Sequence, residues 1–129
     1  MAVPTLYLFD RWDERLGVLP TLGLMTHTEG LGGEDTLEFD CLMAPEKGDR
    51  LVWRDPDTGA WREHEVVRTD EETAGIAHVY AESSLCELLR DFVEEEQLVA
   101  KTVSQAMAVV VAHTRWSLGT VSCDDSTKR

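Results

Sequence analysis

The apolar residues of this 129-residue chain change period once, near residue 83, and that change limits what the chain can become. Before it, apolar residues come in short runs divided by turn formers. After it, they fall three and four apart. Short alternating runs belong to strands and a 3.6-residue stripe belongs to helices, so strands should come first and helices second. The clearest strand is Thr36 to Met43, where Leu37, Phe39 and Cys41 alternate with Glu38 and Asp40. One face of it should be buried and the other wet, as in an antiparallel sheet.

The other strands are read from turn chemistry. Leu6 to Phe9 and Leu16 to Leu19 flank the polar stretch Asp10 to Arg15, a hairpin bracketed by Pro4 and Pro20. Thr21 to Thr28 reads as a further strand, closed by Gly30, Gly32 and Gly33. Lys47-Gly48-Asp49 turns the chain into Leu51-Val52-Trp53. Asp55-Pro56-Asp57-Thr58-Gly59 then supplies Pro, Asp and Gly in turn order, and Trp61 to Val67 returns as the partner. Alternation in Trp61–Val67 is imperfect and leaves its inner face unassigned. Ile76 to Ala81 follows the polar loop Thr69–Gly75.

Leu85, Leu88, Leu89, Phe92 and Val93 then form one helical stripe, with Ser84 and Glu87 at capping-box spacing. This stripe would cover the sheet and make Leu88 a core residue. A second helix is expected from Val103 to about His113. Thr102 and Gln105 sit at its start, and Val103, Ala106, Met107, Val110 and Val111 share one face. Three consecutive valines, Val109 to Val111, would suit a strand, but the cap and the stripe favour helix. Trp116 to Val121 reads as a returning strand and Ser122 to Arg129 as a polar tail. The sum is an α+β chain. An antiparallel, barrel-like β-domain covers residues 1–82, and two helices with a returning strand cover 83–121. That last strand has no sequential partner, so the chain reads as a piece of something longer.

Twenty-five acids against twelve bases give a net charge of −13. Duplex nucleic acid is bound through a basic stripe, which is missing here. Residues 29–40 carry Glu29, Glu34, Asp35, Glu38 and Asp40 without a base. No apolar run reaches membrane-spanning length, and no basic stretch precedes an apolar one at the N-terminus. A soluble chain without a classical export signal or membrane insertion is therefore expected.

No catalytic, cofactor-binding or metal-binding residue is assigned. Cys41, Cys86 and Cys123 lack zinc spacing, and Cys86 reads as a small buried apolar residue. His27, His64, His78 and His113 are scattered along the chain. Ser83-Ser84 lacks a nucleophile elbow, and Gly30, Gly32 and Gly33 precede a strand and not a helix, unlike a phosphate loop. Glu38 and Asp40 could imitate a glycosidase pair, although a solvated face accounts for them. Trp12, Trp53, Trp61 and Trp116 would bind sugars only if grouped on one surface.

The order of these segments resembles the N-terminal region of phage minor structural proteins, the tail hub or tail-associated lysin family, often described as prophage endopeptidase tail proteins. The residues that carry the likeness are Leu6-Tyr7-Leu8-Phe9-Asp10-Arg11 with Leu16-Gly17-Val18-Leu19, then Gly33-Glu34-Asp35-Thr36-Leu37-Glu38-Phe39. Val79-Tyr80-Ala81-Glu82 and Ala106 to Trp116 with Gly119-Thr120-Val121 complete it. Gly32-Gly33 stands where the family commonly has Asn-Gly. The resemblance covers about residues 5–121. It implies a structural protein of a phage or prophage virion tail tip, made in the bacterial cytoplasm. It further implies a β-rich hub domain that builds a ring below the tail tube beside the distal tail protein, with a homotrimeric parent. Any peptidoglycan hydrolase would then lie in downstream domains, and this piece would be a monomer or weak dimer. A cell-wall hydrolase and a carbohydrate-binding module are the rival readings.

Overall fold

The computed structural model describes residues 3–71, 75–90, 101–112 and 114–119, with backbone alone at 89 and 90. The chain divides into two compact units, Met1–Cys86 and Glu87–Arg129. The first is built from β1 (Leu6–Phe9), β2 (Arg15–Leu19), β3 (Leu22–Glu29), β4 (Asp35–Cys41), β5 (Arg50–Arg54), β6 (Trp61–Glu71) and β7 (Ala77–Ser83). They form one sheet in the order β2-β1-β5-β6-β7-β4-β3, with every pairing antiparallel. The sheet curls into a half-barrel. The expected antiparallel β-rich domain is therefore present.

Burial follows strand parity. Leu37, Phe39 and Cys41 of β4 are buried, as their alternation with Glu38 and Asp40 requires. Leu6, Leu19, Leu51, Trp53, Val66, Ala77, Val79 and Ala81 complete the core on the concave face. Registers such as Leu6↔Leu19, Leu37↔Ala81 and Phe39↔Val79 put these side chains beside one another across strands. Each fully buried Leu, Val or Phe contributes about 1.5–3 kcal/mol before chain ordering is charged against it.

Two glycines help bend the sheet. Gly17 (φ +136°) and Gly23 (φ +69°) adopt backbone that side-chain-bearing residues rarely take. Each lies at a register shift, one in the β1–β2 pairing and one in the β3–β4 pairing. Bulges of this kind increase local twist, and here they fall on the two edge strands. Buried acids organise the turns: Asp49 accepts from the Glu46 amide, and Asp55 from the Asp57 amide.

The first expected helix is corrected. Residues Ser84–Arg90 form a 3₁₀ segment, and Leu85, the first residue of the stripe, is 56% exposed. Leu88 is half-buried, and Phe92 and Val93 lie outside the described residues. The cause lies at the start. β7 runs on to Ser83, which pairs with His64, and this carries Ser84 into the interior. Its hydroxyl finds no partner there, while the Leu85 amide donates to Ser83 Oγ instead. The capping box therefore does not form.

The second expected helix is present as α1 (Val103–Val111). Its box is complete: Thr102 Oγ1 accepts from the Gln105 amide, and Gln105 Oε1 accepts from the Thr102 amide. None of its residues is fully buried, and Met107 and Val110 of the apolar stripe are exposed. Residues 116–119 belong to no strand, so the returning strand is absent there, and its last two positions lie outside the described residues with the polar tail. Among the described residues Cys41, and not Cys86, is the fully buried thiol; Cys86 is half-buried. No helix among the described residues is long and apolar enough to cross a membrane.

Candidate functional site

The β3–β4 hairpin and the later strand β6 bring a polar cluster into one mouth of the half-barrel. His27 of β3 faces inward beside Leu37, Asp35 opens β4 on the same face, and His64 of β6 lies opposite Leu51. His27 Nε2 and His64 Nε2 both approach Asp35 Oδ1, at 2.7 and 2.8 Å. Burial works to raise the Asp35 pKa, but the hydrogen bonds from His64 and His27 outweigh it and hold it below the ordinary carboxylate range. An ionised carboxylate only accepts, so both imidazole nitrogens are donors.

Trp53 fixes the tautomer. Its indole Nε1 donates to His64 Nδ1 at 3.1 Å, and an indole nitrogen cannot accept. His64 Nδ1 is therefore bare and Nε2 carries the proton. Full burial pushes the His64 pKa down, against the pull of Asp35. His27 sets its ring edge-on to Trp53, with centroids 5.0 Å apart. In sheet order β3 is four strands from β5, so this contact spans the concave face.

Arg62 closes the outer side of the cluster. Its Nε donates to Asp55 Oδ2 at 2.8 Å, and its terminal nitrogens reach toward Glu29 at 3.4 Å and Asp35 at 4.0 Å. Asp55 is held low first by the Asp57 amide and then by Arg62, against burial. A depression of about 300 Å³ borders the cluster, walled by Pro4, Leu24, Met25, His27, Trp53 and Asp55.

His27, Asp35 and His64 place three metal-ligating atoms within 4.8 Å of one another, a grouping that the sequence spacing gave no reason to assign. The tautomer decides what they can do. A metal needs the Nε2 lone pair, and metal-bound histidines donate through the other nitrogen. Here His64 accepts at Nδ1 and presents a hydrogen at Nε2. The cluster is thus arranged as a hydrogen-bonded tie between strands and not as a set of open ligands.

The other sequence candidates stay apart. Glu38 and Asp40 lie on the convex face, and His78 of β7 comes between them, with Nδ1 2.7 Å from Asp40 and Nε2 3.8 Å from Glu38. All three are partly exposed, as a hydrogen-bonded surface group. Trp53 is in the core, while Trp12 and Trp61 are exposed. Trp61 pairs with Tyr7 at 6.2 Å and not with another tryptophan. His113 and Cys123 lie outside the described residues. The chain matches no protein-family model, no curated protein and no solved structure.

Proposed function

We propose that this chain is an assembly module, the hub domain of a phage or prophage tail tip, which docks through the edges of its sheet. The observation that carries this reading is the surface of the two edge strands. Leu16 and Val18 on β2, and Leu22 and Leu24 on β3, are exposed, with Leu24 open to 83%. Among the described residues, both strands end the sheet with no neighbour on one side. Exposed edges with apolar side chains invite pairing, and a chain that must remain unpaired blunts them with charge. These edges carry bulges, which oppose simple ladder extension, yet they keep their leucines. That combination suits docking through side chains onto a neighbour in a ring.

The resemblance at Leu6–Arg11, Leu16–Leu19, Gly33–Phe39 and Val79–Glu82 supports the same reading; those residues fall on or beside β1, β2, β4 and β7. The partners would be the distal tail protein and further copies of the parent, itself a trimer, in the virion. The test is complementation of tail assembly by a double variant, Leu22→Asp with Leu24→Asp. Folded by circular dichroism, it should give few or no infectious particles and no association with the distal tail protein. Particle yield equal to the parent's would overturn the proposal, as would cell-wall cleavage by the isolated chain.

A further inference from the structure

We propose that His27, Asp35, His64 and Trp53 form a proton-operated latch that holds edge strand β3 across the concave face and releases it on acidification. The inference does not depend on the tail-tip reading, since it concerns only the closure of the half-barrel.

Among the described residues β3 has a neighbour on one side only, β4, and the register of that pairing is broken between Leu22 and Thr26. Beyond the ladder, Met25 packs on the core, Glu29 reaches Arg62, and His27 joins Asp35 and Trp53. His27 is thus a polar residue through which β3 touches β5 on the far wall.

In its fully buried part the network has one place for another proton, His64 Nδ1; the other basic nitrogen, His27 Nδ1, sits on a ring that is 18% exposed. Asp35 is the shared anion, His27 and His64 each already donate to it, and the His64 Nδ1 lone pair is occupied by the Trp53 N–H. A proton arriving at Nδ1 sets N–H against N–H and breaks the Trp53 bond. The imidazolium so formed is 0% exposed and shares one carboxylate with His27, whose ring centroid is 5.5 Å away. Arg62 adds positive charge from β6. Asp55, just past the end of β5, and Glu29 on β3 are acids near the cluster, and both are paired with Arg62. Closed, the network has no room for the proton; open, water solvates it. Acid therefore draws β3 away.

The sign follows. The closed form holds His64 neutral, so opening takes up a proton once the pH falls below the free-histidine value of about 6.5. In that range the opening constant of β3 should rise about tenfold per pH unit. Amide hydrogen exchange on the whole chain, corrected for intrinsic rates, tests this. On going from pH 7.5 to 5.5, amides of β3 should lose protection up to about tenfold, while those of β5 and β6 hold theirs. His64→Gln keeps an acceptor for Trp53 and a donor for Asp35 without a titration, and should cut the change below twofold. Should that variant not fold, ¹⁵N shifts of the parent's histidines give an independent reading: His64 must be the Nε2–H tautomer at neutral pH. An Nδ1–H tautomer would overturn the latch. So would pH-independent exchange in β3, loss of protection in all strands together, or stoichiometric Zn²⁺ binding that stabilises the parent.

Discussion

His64 stands where a chain of this pattern would place an aliphatic residue, and it is tolerated because both ring nitrogens are satisfied. Its depressed pKa makes it a source of acid lability. The folded chain binds fewer protons at His64 than the unfolded chain does. Stability should therefore be level above about pH 6.5, fall as the pH drops below that value, and level off at the folded pKa. Asp35 and Asp55 are lowered, so their contribution holds above about pH 4 and is lost as the pH falls through their folded values. Urea midpoints at half-unit pH intervals should show two separate declines, and His64→Gln should remove the first alone. A single decline near pH 4 in the parent would contradict the assignment. The apolar residues follow simpler rules. Phe39→Ala should cost about 3–5 kcal/mol in the same urea measurement, as for a fully buried aromatic side chain. Phe39 was legible from its alternation with Glu38 and Asp40. His27 and His64 were not, because they are neighbours only through the curl of the sheet, which no spacing encodes. Asp35 offered the one usable sign: the parity of Leu37, Phe39 and Cys41, carried back one step, points it inward.

At the scale of elements, strands could be read wherever one face was apolar throughout. β6 could not be oriented, since two of its inward positions, Arg62 and His64, are polar and belong to the cluster at the mouth. The stripe from Leu85 to Val93 predicted a helix packed on the sheet, but β7 consumes Ser83 and buries Ser84, so no serine is left to cap an α-helical start. Leu88, half-buried in the 3₁₀ segment, can turn a charge toward water. Leu88→Asp should therefore retain cooperative thermal unfolding, whereas Leu37→Asp, at 0% exposure, should abolish it. A collapse of both variants would restore the stripe as a core element. In α1 the cap was legible because a capping box is wholly local. Thr102→Ala should weaken that helix by about 1 kcal/mol. Amide exchange across Val103–Val111 should register the loss, with the sheet unaffected.

The whole molecule carries a charge of −13 and open, leucine-bearing edges. Phosphates should be repelled, and no gel shift with duplex DNA is expected at micromolar protein, even at low salt. A shift would contradict the reading of the acidic surface as one that repels polyanions. Light scattering should find a monomer or weak dimer for this chain alone, because a stable complex needs roughly 1,200 Å² or more of buried surface. A stable trimer would show that ring contacts lie within these residues. The strand order has a further consequence, for the chain at birth. β1 is flanked by β2 and β5, and β4 by β3 and β7, so Tyr7 waits for Val52 and Leu37 for Ala81. Synthesis at about 5–20 residues per second leaves the two early hairpins without their inner neighbours for some seconds. During that interval Leu6, Leu37 and Phe39 are as bare as Leu24 remains in the finished fold. A chain cut before Arg50 would carry two adhesive hairpins and no seven-stranded sheet, so the stretch from Cys41 to Ala81 is the one whose synthesis those hairpins must outlast.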